Sequence, residues 1–315
     1  ISYQRGQTKL TADWVIYHSG RLSSEATYLK EQLQQITGLS LTLTSQLPDS
    51  GQPHIALGIS DLTQKAEGYQ LVIHDEQIAI SGHDNAGAFY AVQSLLALLP
   101  VEGERTVLSN LTINDWPRYG WRGLHYDMAR NFHGKAVTLR MIDQLARYKL
   151  NKLHLHLTED EGWRLEIPGL PELTEIGAKR CFDLTEQRCL LTQLGTGPHP
   201  SGSGNGYYST ADFIEILKFA AERHIEVVPE IDMPGHSAAF SRYFKVNMQS
   251  EKGILYIQDL LKEFAESFPS LKHLHIGGDE VPKGTWKLSP VSNKLIAEDD
   301  KLNSTDDLWV YYFDN

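Results

Sequence analysis

The sequence predicts an α/β protein in which strands and helices alternate through the second part of the chain. Beyond Asp115, short apolar runs are separated by long amphipathic segments, and four of these runs have the length and pattern of strands: residues 123–128, 152–157, 225–231 and 272–276. Repeated βα units imply a parallel sheet, most simply a barrel. We therefore predict a (β/α)8 TIM-type barrel domain at residues 116–315, of which only about the first half is evident.

The helices expected between these strands lie near residues 135–148, 210–223 and 254–268. Ser209 and Asp212 resemble a capping box at the start of the second helix. An eightfold barrel usually needs about 250 residues. Four βα units, rather than eight, make the barrel domain of this chain incomplete.

Residues 1–115 are predicted to form a separate, small α+β domain. Helical patterns at residues 25–37 and 86–99 end at Gly38 and Pro100. Strand-like runs fall at residues 14–17, 39–44, 54–58, 69–74 and 77–81. No group of residues here suggests catalysis, so we expect a supporting role.

Charge and hydropathy exclude several classes of partner. The 315 residues carry 40 acidic and 29 basic side chains, a formal charge of −11, and no basic stripe is present. This argues against nucleic acid and anionic membranes as partners. No apolar run reaches the roughly 18 residues of a membrane span, and the residues after Ile1 lack a signal-peptide pattern. The sequence does not indicate an oligomeric state.

Cys181 and Cys189 are the two cysteines of the chain. Two cysteines so placed do not make a metal site, so they are either a small-loop disulfide or two free thiols. We favour the disulfide, which implies an oxidising compartment such as a periplasm or the cell exterior.

Ionisable residues follow each of the four predicted strands, where a barrel gathers its functional side chains. Near the end of the chain, the glycine pair at 277–278 permits a turn that lets two neighbouring acids share a pocket. The residues at the four strand ends are Asp127, Arg130, Glu159, Asp160, Glu161, Glu230, Asp232, His236, Asp279 and Glu280. The alternating His154 and His156 face one side of their strand, and we expect them to line the core.

A long loop at about residues 181–208 is rich in glycine and proline in its second half. Loops of this length in a compact domain are usually functional or disordered. We interpret it as a lid or the wall of a subsite, with flexible filler as the alternative.

Four motifs follow one another in order along the chain. They are Trp121-Arg122-Gly123 with Asp127 and Arg130, His156-Leu157-Thr158-Glu159-Asp160-Glu161-Gly162-Trp163, Pro229-Glu230-Ile231-Asp232-Met233-Pro234-Gly235-His236, and His275-Ile276-Gly277-Gly278-Asp279-Glu280. Together they resemble glycoside hydrolase family 20, the β-N-acetylhexosaminidases. The resemblance runs from about residue 10 to residue 315, and the stretch at 181–206 resembles the bacterial chitobiase branch.

The resemblance implies hydrolysis assisted by the substrate, an exception among glycosidases. Glu280 would protonate the glycosidic oxygen and later activate water, while the 2-acetamido carbonyl attacks C1 to give an oxazolinium intermediate. Asp279 would orient the acetamido group. The enzyme would be a retaining exo-hexosaminidase that removes terminal N-acetylglucosamine, or N-acetylgalactosamine, without a metal or another cofactor.

Three residues are expected by resemblance to bind the substrate: Arg122, which would clamp sugar hydroxyls with its planar fork, and Asp160 and His236 close to the acid. Glu280 itself should be partly desolvated beside an anionic neighbour. The expected partners are oligosaccharides that contain N-acetylglucosamine, and the expected location is a bacterial periplasm or the exterior. The second half of the family's barrel, which walls the acetamido pocket, has no counterpart in this sequence.

Two alternatives stay open. His154 and His156 at a strand end, with distant His and Asp residues, also resemble the ligand set of a metal-dependent amidohydrolase, which a chelator would inactivate. A carbohydrate-binding protein without catalysis would retain sugar without turnover.

Overall fold

The chain folds as two units, each described here by itself. The computed structural model describes residues 1–61, 64–246, 250–281 and 284–314. The first unit contains Ile1–Arg122 together with Ile142–Asn151 and Ala220–Ile225. The second contains Gly123–Met141, Lys152–Phe219 and Glu226–Asn315.

A seven-stranded mixed sheet forms the first unit, in the order β1-β7-β5-β6-β4-β2-β3. Its strands are β1 Ser2–Lys9, β2 Val15–His18, β3 Thr42–Thr44, β4 His54–Ile59, β5 Tyr69–His74, β6 Gln77–Gly82 and β7 Val107–Asp115. Alternating buried residues in β5 and β6 turn one face of this sheet to the core. The sequence pattern did not predict β1 or β7, because β1 is polar and almost wholly exposed and is ordered by antiparallel pairing with β7.

Two helices pack in the first unit: α1, Ser23–Thr37, and α2, Asn85–Leu98, which lies against β5 and β6. The chain leaves α1 at Gly38 with a left-handed φ of 81°. The side chain of Asp84 accepts a hydrogen bond from the Gly87 N–H at 2.8 Å and so caps α2.

A parallel sheet of three strands forms the centre of the second unit, in the order β12-β9-β8. The strands are β8 Gly123–Asp127, β9 Lys152–His156 and β12 Glu226–Glu230. Between β9 and β12 lies a short antiparallel hairpin, β10 Thr158–Glu159 with β11 Gly162–Trp163. The first three predicted strands of the barrel are therefore present, in the parallel arrangement that was expected.

The fourth predicted strand, residues 272–276, is not a strand in the structure. His275 instead forms a single parallel bridge with Glu230, with its N–H donating to the Pro229 carbonyl at 2.9 Å. A further backbone hydrogen bond runs from the Met233 N–H to the Ile276 carbonyl at 3.1 Å. Beyond Ile276, Gly277 and Gly278 adopt φ values of 67° and 115°, which turn the chain out of extended geometry. In the described residues the predicted barrel is thus present only in part.

The remaining helices follow the predicted alternation. They are α3 Lys135–Arg147, which contributes to both units, then α4 Glu172–Gly177, α5 Thr210–Ala221, α6 Ala238–Phe244, α7 Glu251–Ser267, α8 Gly284–Lys287, α9 Pro290–Glu298 and α10 Asp307–Asp314. The predicted capping box at α5 is confirmed: the Asp212 N–H donates to Ser209 Oγ, and the Ser209 N–H donates to Asp212 Oδ2. In the part of the chain that the structure describes, no helix has both the length and the apolarity that crossing a membrane requires.

The long loop after α4 is fixed by a disulfide and by two arginines. Cys181 and Cys189 form the predicted disulfide, with Cα atoms 5.8 Å apart. Arg164, fully buried, donates to the backbone carbonyls of Ala129, Glu161, Ala178, Gly204 and Gly206. Arg180 donates to those of Ala129, Arg130, Glu161 and Thr196. These hydrogen bonds join the loop, at Thr196, Gly204 and Gly206, to Arg164 and Arg180.

Candidate active site

Three ionisable residues end the three parallel strands in register. His156 at the end of β9 pairs with Asp127 of β8 on one side and with Glu230 of β12 on the other. Parallel pairing alone brings these side chains to one edge of the sheet, because parallel strands all end on the same side.

Glu230 is a buried carboxylate surrounded by imidazoles. Its Oε2 lies 2.8 Å from His154 Nε2 and 2.7 Å from His156 Nδ1, and its Oε1 lies 2.9 Å from His275 Nδ1. The Gly277 N–H donates to the same nitrogen at 3.0 Å. A ring nitrogen accepts a hydrogen bond only when it carries no proton, so His275 Nδ1 does not donate to Glu230 while it accepts from Gly277. Burial opposes ionisation of Glu230, but the hydrogen bonds from His154 and His156 outweigh burial and lower its pKa.

His156 joins Glu230 to a second buried carboxylate, that of Glu159. Its Nε2 lies 3.3 Å from Glu159 Oε1. Burial disfavours the imidazolium, but hydrogen bonds to Glu159 and Glu230 outweigh burial and raise the pKa of His156 to about 10.

Glu159, with 2% of its surface exposed, stands at the centre of the network. Its Oε2 lies 2.8 Å from His236 Nδ1 and accepts the Asp160 N–H at 2.9 Å. Its Oε1 lies 2.5 Å from Arg130 Nη2. Burial raises the pKa of Glu159, but the hydrogen bond from His156 and its other partners outweigh burial, and the pKa is lowered.

His236 connects this network to Glu280. Its Nε2 lies 3.3 Å from Glu280 Oε2. Both residues have left-handed backbones, with φ values of 44° and 48°. Such values are uncommon for residues with a Cβ and often mark functional positions. The turns after β12 and after Gly278 thus bring one imidazole nitrogen to the predicted acid.

Asp232 ties the glycine turn to the strand that precedes it. Its Oδ1 accepts the Gly278 N–H at 2.8 Å, and a Cβ on Gly277 would lie 1.9 Å from that same oxygen. Carboxylate oxygens of Asp232, Glu230 and Asp279 lie within 4.8 Å of one another. Burial raises the pKa of Asp232, and the charges of Glu230 and Asp279 raise it further.

The predicted catalytic pair, Asp279 and Glu280, is adjacent to this network but open to solvent. The side chain of Glu280 is 80% exposed. The partly desolvated environment expected for the acid is therefore not found in the described residues. The expected anionic neighbour is also replaced, since the partner of Glu280 is the imidazole of His236, and the carboxylate of Glu159 lies beyond that ring.

Asp160 has a carboxylate oxygen within 4.8 Å of a ring nitrogen of His236 and of a carboxylate oxygen of Glu159, but its hydrogen-bond partner is a backbone group. Its Oδ1 accepts the Ala238 N–H at 3.0 Å, in the first turn of α6. The acid that contacts His236 is its neighbour Glu159. In the turn between β10 and β11 the two adjacent carboxylates point to different partners.

Arg122 belongs to the first unit, where its donors already have acceptors. Its Nη1 lies 2.8 Å from Glu67 Oε2 and 2.8 Å from the Tyr119 carbonyl. Its Nε donates to the Lys149 carbonyl at 2.8 Å, and its Nη2 to Tyr90 Oη at 3.0 Å. Arg122 lies in the first unit, whereas the other predicted site residues lie in the second.

Arg130 is the arginine that the structure brings into the network. It contacts Asp127 at 2.8 Å and Glu159 at 2.5 Å, and its side chain is 31% exposed. The prediction chose Arg122, but a signal for Arg130 was available. Arg122 precedes strand β8 and Arg130 follows it, and side chains that act on a substrate gather beyond the C-terminal strand ends.

Several carboxylate and imidazole atoms of the network lie within 4.8 Å of one another, a spacing that metal ligands also show. Among the described residues, three of the four such groups contain a hydrogen bond between an imidazole and a carboxylate, and the fourth consists of the carboxylates of Glu230, Asp232 and Asp279. We assign none of them as a metal ligand.

Family models match both parts of the chain. The model of the catalytic domain of glycosyl hydrolase family 20 matches residues 119–245 and 241–315, and the model of domain 2 of that family matches residues 1–116. Among curated relatives, N,N'-diacetylchitobiase of Vibrio harveyi is 57% identical over 175 residues, which are 56% of this chain and 20% of that protein. A β-hexosaminidase of Vibrio furnissii is 35% identical over 93% of this chain and 49% of its own length.

Solved structures of enzymes from the same family match the fold of nearly the whole chain. The exo-β-N-acetylglucosaminidase of Vibrio harveyi, in complex with N-acetylglucosamine, has a TM-score of 0.83 and 30% identity over 98% of this chain and 50% of that one. The β-N-acetylhexosaminidase of Bacteroides fragilis has a TM-score of 0.81 and 28% identity over 99% and 61%. The chain spans about a fifth of the length of the first of these curated relatives and about half of the length of the second. By these matches to its sequence and fold, the chain belongs to glycosyl hydrolase family 20.

Proposed function

We propose that the protein is a retaining exo-β-N-acetylhexosaminidase that removes terminal N-acetylglucosamine, or N-acetylgalactosamine, from oligosaccharides by substrate-assisted catalysis. The observation that carries the proposal is His236, which lies between Glu159 and Glu280 and next to the turn that bears Asp279. The names of the relatives, a diacetylchitobiase and several β-hexosaminidases, support this substrate class.

In the proposed reaction, Glu280 donates a proton to the glycosidic oxygen as the bond from that oxygen to C1 breaks. The acetamido carbonyl oxygen of the same sugar attacks C1 and forms the oxazolinium ring. Water then attacks C1 while Glu280 takes its proton, and the ring opens with the configuration at C1 retained. Asp279, one residue before the acid, holds the acetamido N–H and balances the positive charge of the ring.

His236 orients Glu280, and Glu159 holds His236 by accepting from Nδ1. This arrangement resembles the relation of base and orienting carboxylate in other hydrolases. Asp160, which fixes the start of α6 after His236, acts through the backbone in this proposal.

We assign the binding of sugar hydroxyls to Arg130 in place of Arg122. Arg130 is partly exposed beside Glu159 and has a planar fork of donors suited to neighbouring hydroxyls. Both arginines have protein acceptors, but the side chain of Arg130 is the more exposed, at 31% against 16% for Arg122.

We further propose that residues 1–115 are a small supporting domain and residues 116–315 the first part of a TIM barrel. The match to the domain-2 model ends at residue 116 and the match to the catalytic-domain model begins at residue 119, which supports this division. The disulfide between Cys181 and Cys189 supports a periplasmic or secreted location.

Hydrolysis of an aryl N-acetyl-β-D-glucosaminide tests the function, with the plain aryl β-glucoside as the control substrate and each assay run with and without a strong chelator. Cleavage of the acetamido sugar alone, unaffected by chelator, is the expected result. Loss of activity with chelator would favour a metal-dependent amidohydrolase, and retention of sugar without cleavage would favour a binding protein.

A further inference from the structure

We propose that His156 is a cationic positioning residue: it is anchored by Glu230 on one side, fixes Glu159 on the other, and thereby sets the orientation of His236 against Glu280. This inference rests on the proposed function for its effect on catalysis. Its structural part stands on hydrogen bonds and burial alone.

The hydrogen-bond inventory of the ring leads to this assignment. His156 Nδ1 lies 2.7 Å from Glu230 Oε2, and His156 Nε2 lies 3.3 Å from Glu159 Oε1. A carboxylate accepts and does not donate, whereas a neutral imidazole has a single N–H. Only the imidazolium donates to both carboxylates, and both are almost fully buried.

The groups around His156 favour this charge state. Glu230 faces it from β12, Glu159 from the hairpin and Asp127 from β8. His125, on β8, has its ring centroid 5.7 Å from that of His156 and opposes a second cation there. Burial lowers the pKa of His125, and the neighbouring His154 and His156 lower it further.

The same contacts explain why Glu159 depends on His156. Two partners of Glu159, Arg130 and His236, are partly exposed, and Arg130 also contacts Asp127. His156 is the buried cation that contacts Glu159. Without its charge, protonation of Glu159 becomes easier, and a protonated Glu159 holds the Nδ1 proton of His236 less firmly.

His154 offers a matched control on the same strand. Its Nε2 lies 2.8 Å from the same Oε2 of Glu230. In the described part of the chain, its hydrogen bonds and ion pairs do not include Glu159. Replacing His154 therefore removes one hydrogen bond to Glu230 and leaves the contact between His156 and Glu159 in place.

Kinetics of His156→Gln and His154→Gln test the effect on catalysis. We expect His156→Gln to lower kcat about tenfold, a fraction of the 10²–10⁴-fold contribution of a general acid. We also expect the acidic limb of the profile of kcat/KM against pH to move up by about one unit, since an opposite charge nearby lowers a carboxyl pKa by about 1–3 units. His154→Gln should leave this limb unmoved. Equal profiles for the two variants, with wild-type protein active, would overturn the inference and leave the proposed function intact.

Nuclear magnetic resonance of the full chain, with ¹⁵N-labelled histidine, tests the same inference without activity. At pH 8 both ring nitrogens of His156 should show imidazolium shifts. The Nδ1 signal of His236 should move in His156→Gln and stay in place in His154→Gln. A neutral His156 ring at pH 8, or an unmoved His236 signal in His156→Gln, would contradict the proposal even if wild-type protein proved inactive.

Discussion

His236 meets Glu280 through Nε2, with 3.3 Å between that nitrogen and Glu280 Oε2. The nitrogen on the other side of the ring is held by the buried Glu159. An exposed carboxylate is thereby coupled through one imidazole to the interior of the second unit.

Replacing Glu280 with Gln should abolish most turnover with little loss of substrate binding. The amide keeps the shape of the side chain but has no acidic proton to transfer to the glycosidic oxygen. We therefore expect kcat to fall by about 10²–10⁴-fold and KM to stay within a few fold. Steady-state kinetics on the aryl N-acetylglucosaminide measure both. Glu298→Gln, an exposed acid on α9, is the matched control, and near-normal kcat in the Glu280 variant would show that another residue is the acid.

Asp279→Asn should weaken hydrolysis about 10²-fold, the usual cost of losing one group that stabilises charge in the transition state. The loss should depend on the acetamido group, because Asp279 is proposed to hold that group. Comparing N-acetyl with N-trifluoroacetyl substrates, in which the carbonyl is a weaker nucleophile, tests this. In the variant the rate on the N-acetyl substrate should fall more than the rate on the N-trifluoroacetyl substrate, and unchanged rates on both would remove Asp279 from the mechanism.

Arg130→Lys should mainly lower activity, whereas Arg122→Lys should mainly lower stability. A lysine at 130 loses the planar fork, and we expect kcat/KM to fall by about 10–100-fold, the range for charge-assisted hydrogen bonds of about 1.5–3 kcal/mol. At 122 the same change should lower the free energy of unfolding and leave kcat/KM close to wild type. Kinetics and urea denaturation of both variants decide between the two arginines; a kinetic defect confined to Arg122→Lys would restore the original assignment.

Stability should depend on the protonation of His156. A group with a pKa raised in the folded state stabilises the fold fully below its unfolded pKa of about 6.5 and loses this contribution as pH rises toward its folded value of about 10. We therefore expect the free energy of unfolding to fall between pH 6.5 and pH 10. Urea denaturation at several pH values in that range measures this fall. The free energy of unfolding should change less with pH in His156→Gln than in the wild-type protein, and an identical change with pH would show that the ring is neutral.

Gly277→Ala should destabilise the turn before the catalytic pair. An added Cβ would lie 1.9 Å from Asp232 Oδ1, at a residue with φ of +67°, and backbone strain of this kind costs about 1–3 kcal/mol. Gly197→Ala is the control, because a Cβ there meets nothing within 4 Å. Equal urea midpoints for the two variants would mean that the turn relaxes.

Strand patterns in the sequence located much of the second unit. Three of the four predicted barrel strands are present because their apolar runs are buried in a parallel sheet. The run at 272–276 has the same pattern, yet it pairs at His275 alone. A sequence pattern indicates that a segment is able to pair, but it does not show how many of its residues find a partner in the folded chain.

The choice between neighbouring residues was harder to predict. Glu159 and Asp160 carry the same charge, and only the geometry of the hairpin turns one toward His236 and the other toward the backbone of α6. The role of His156 also depends on three segments that meet only in the folded chain. Such choices are made by tertiary contacts, which one sequence without its fold does not contain.

The closed loop between Cys181 and Cys189 has a consequence for limited proteolysis. Arg188, whose side chain is 81% exposed, is a cleavage site for trypsin inside the disulfide ring. A single cut there leaves both fragments covalently joined, and the carbonyls on either side stay bound to Arg164 and Arg180. The nicked protein should therefore migrate as one chain on a denaturing gel until a reductant separates its two pieces.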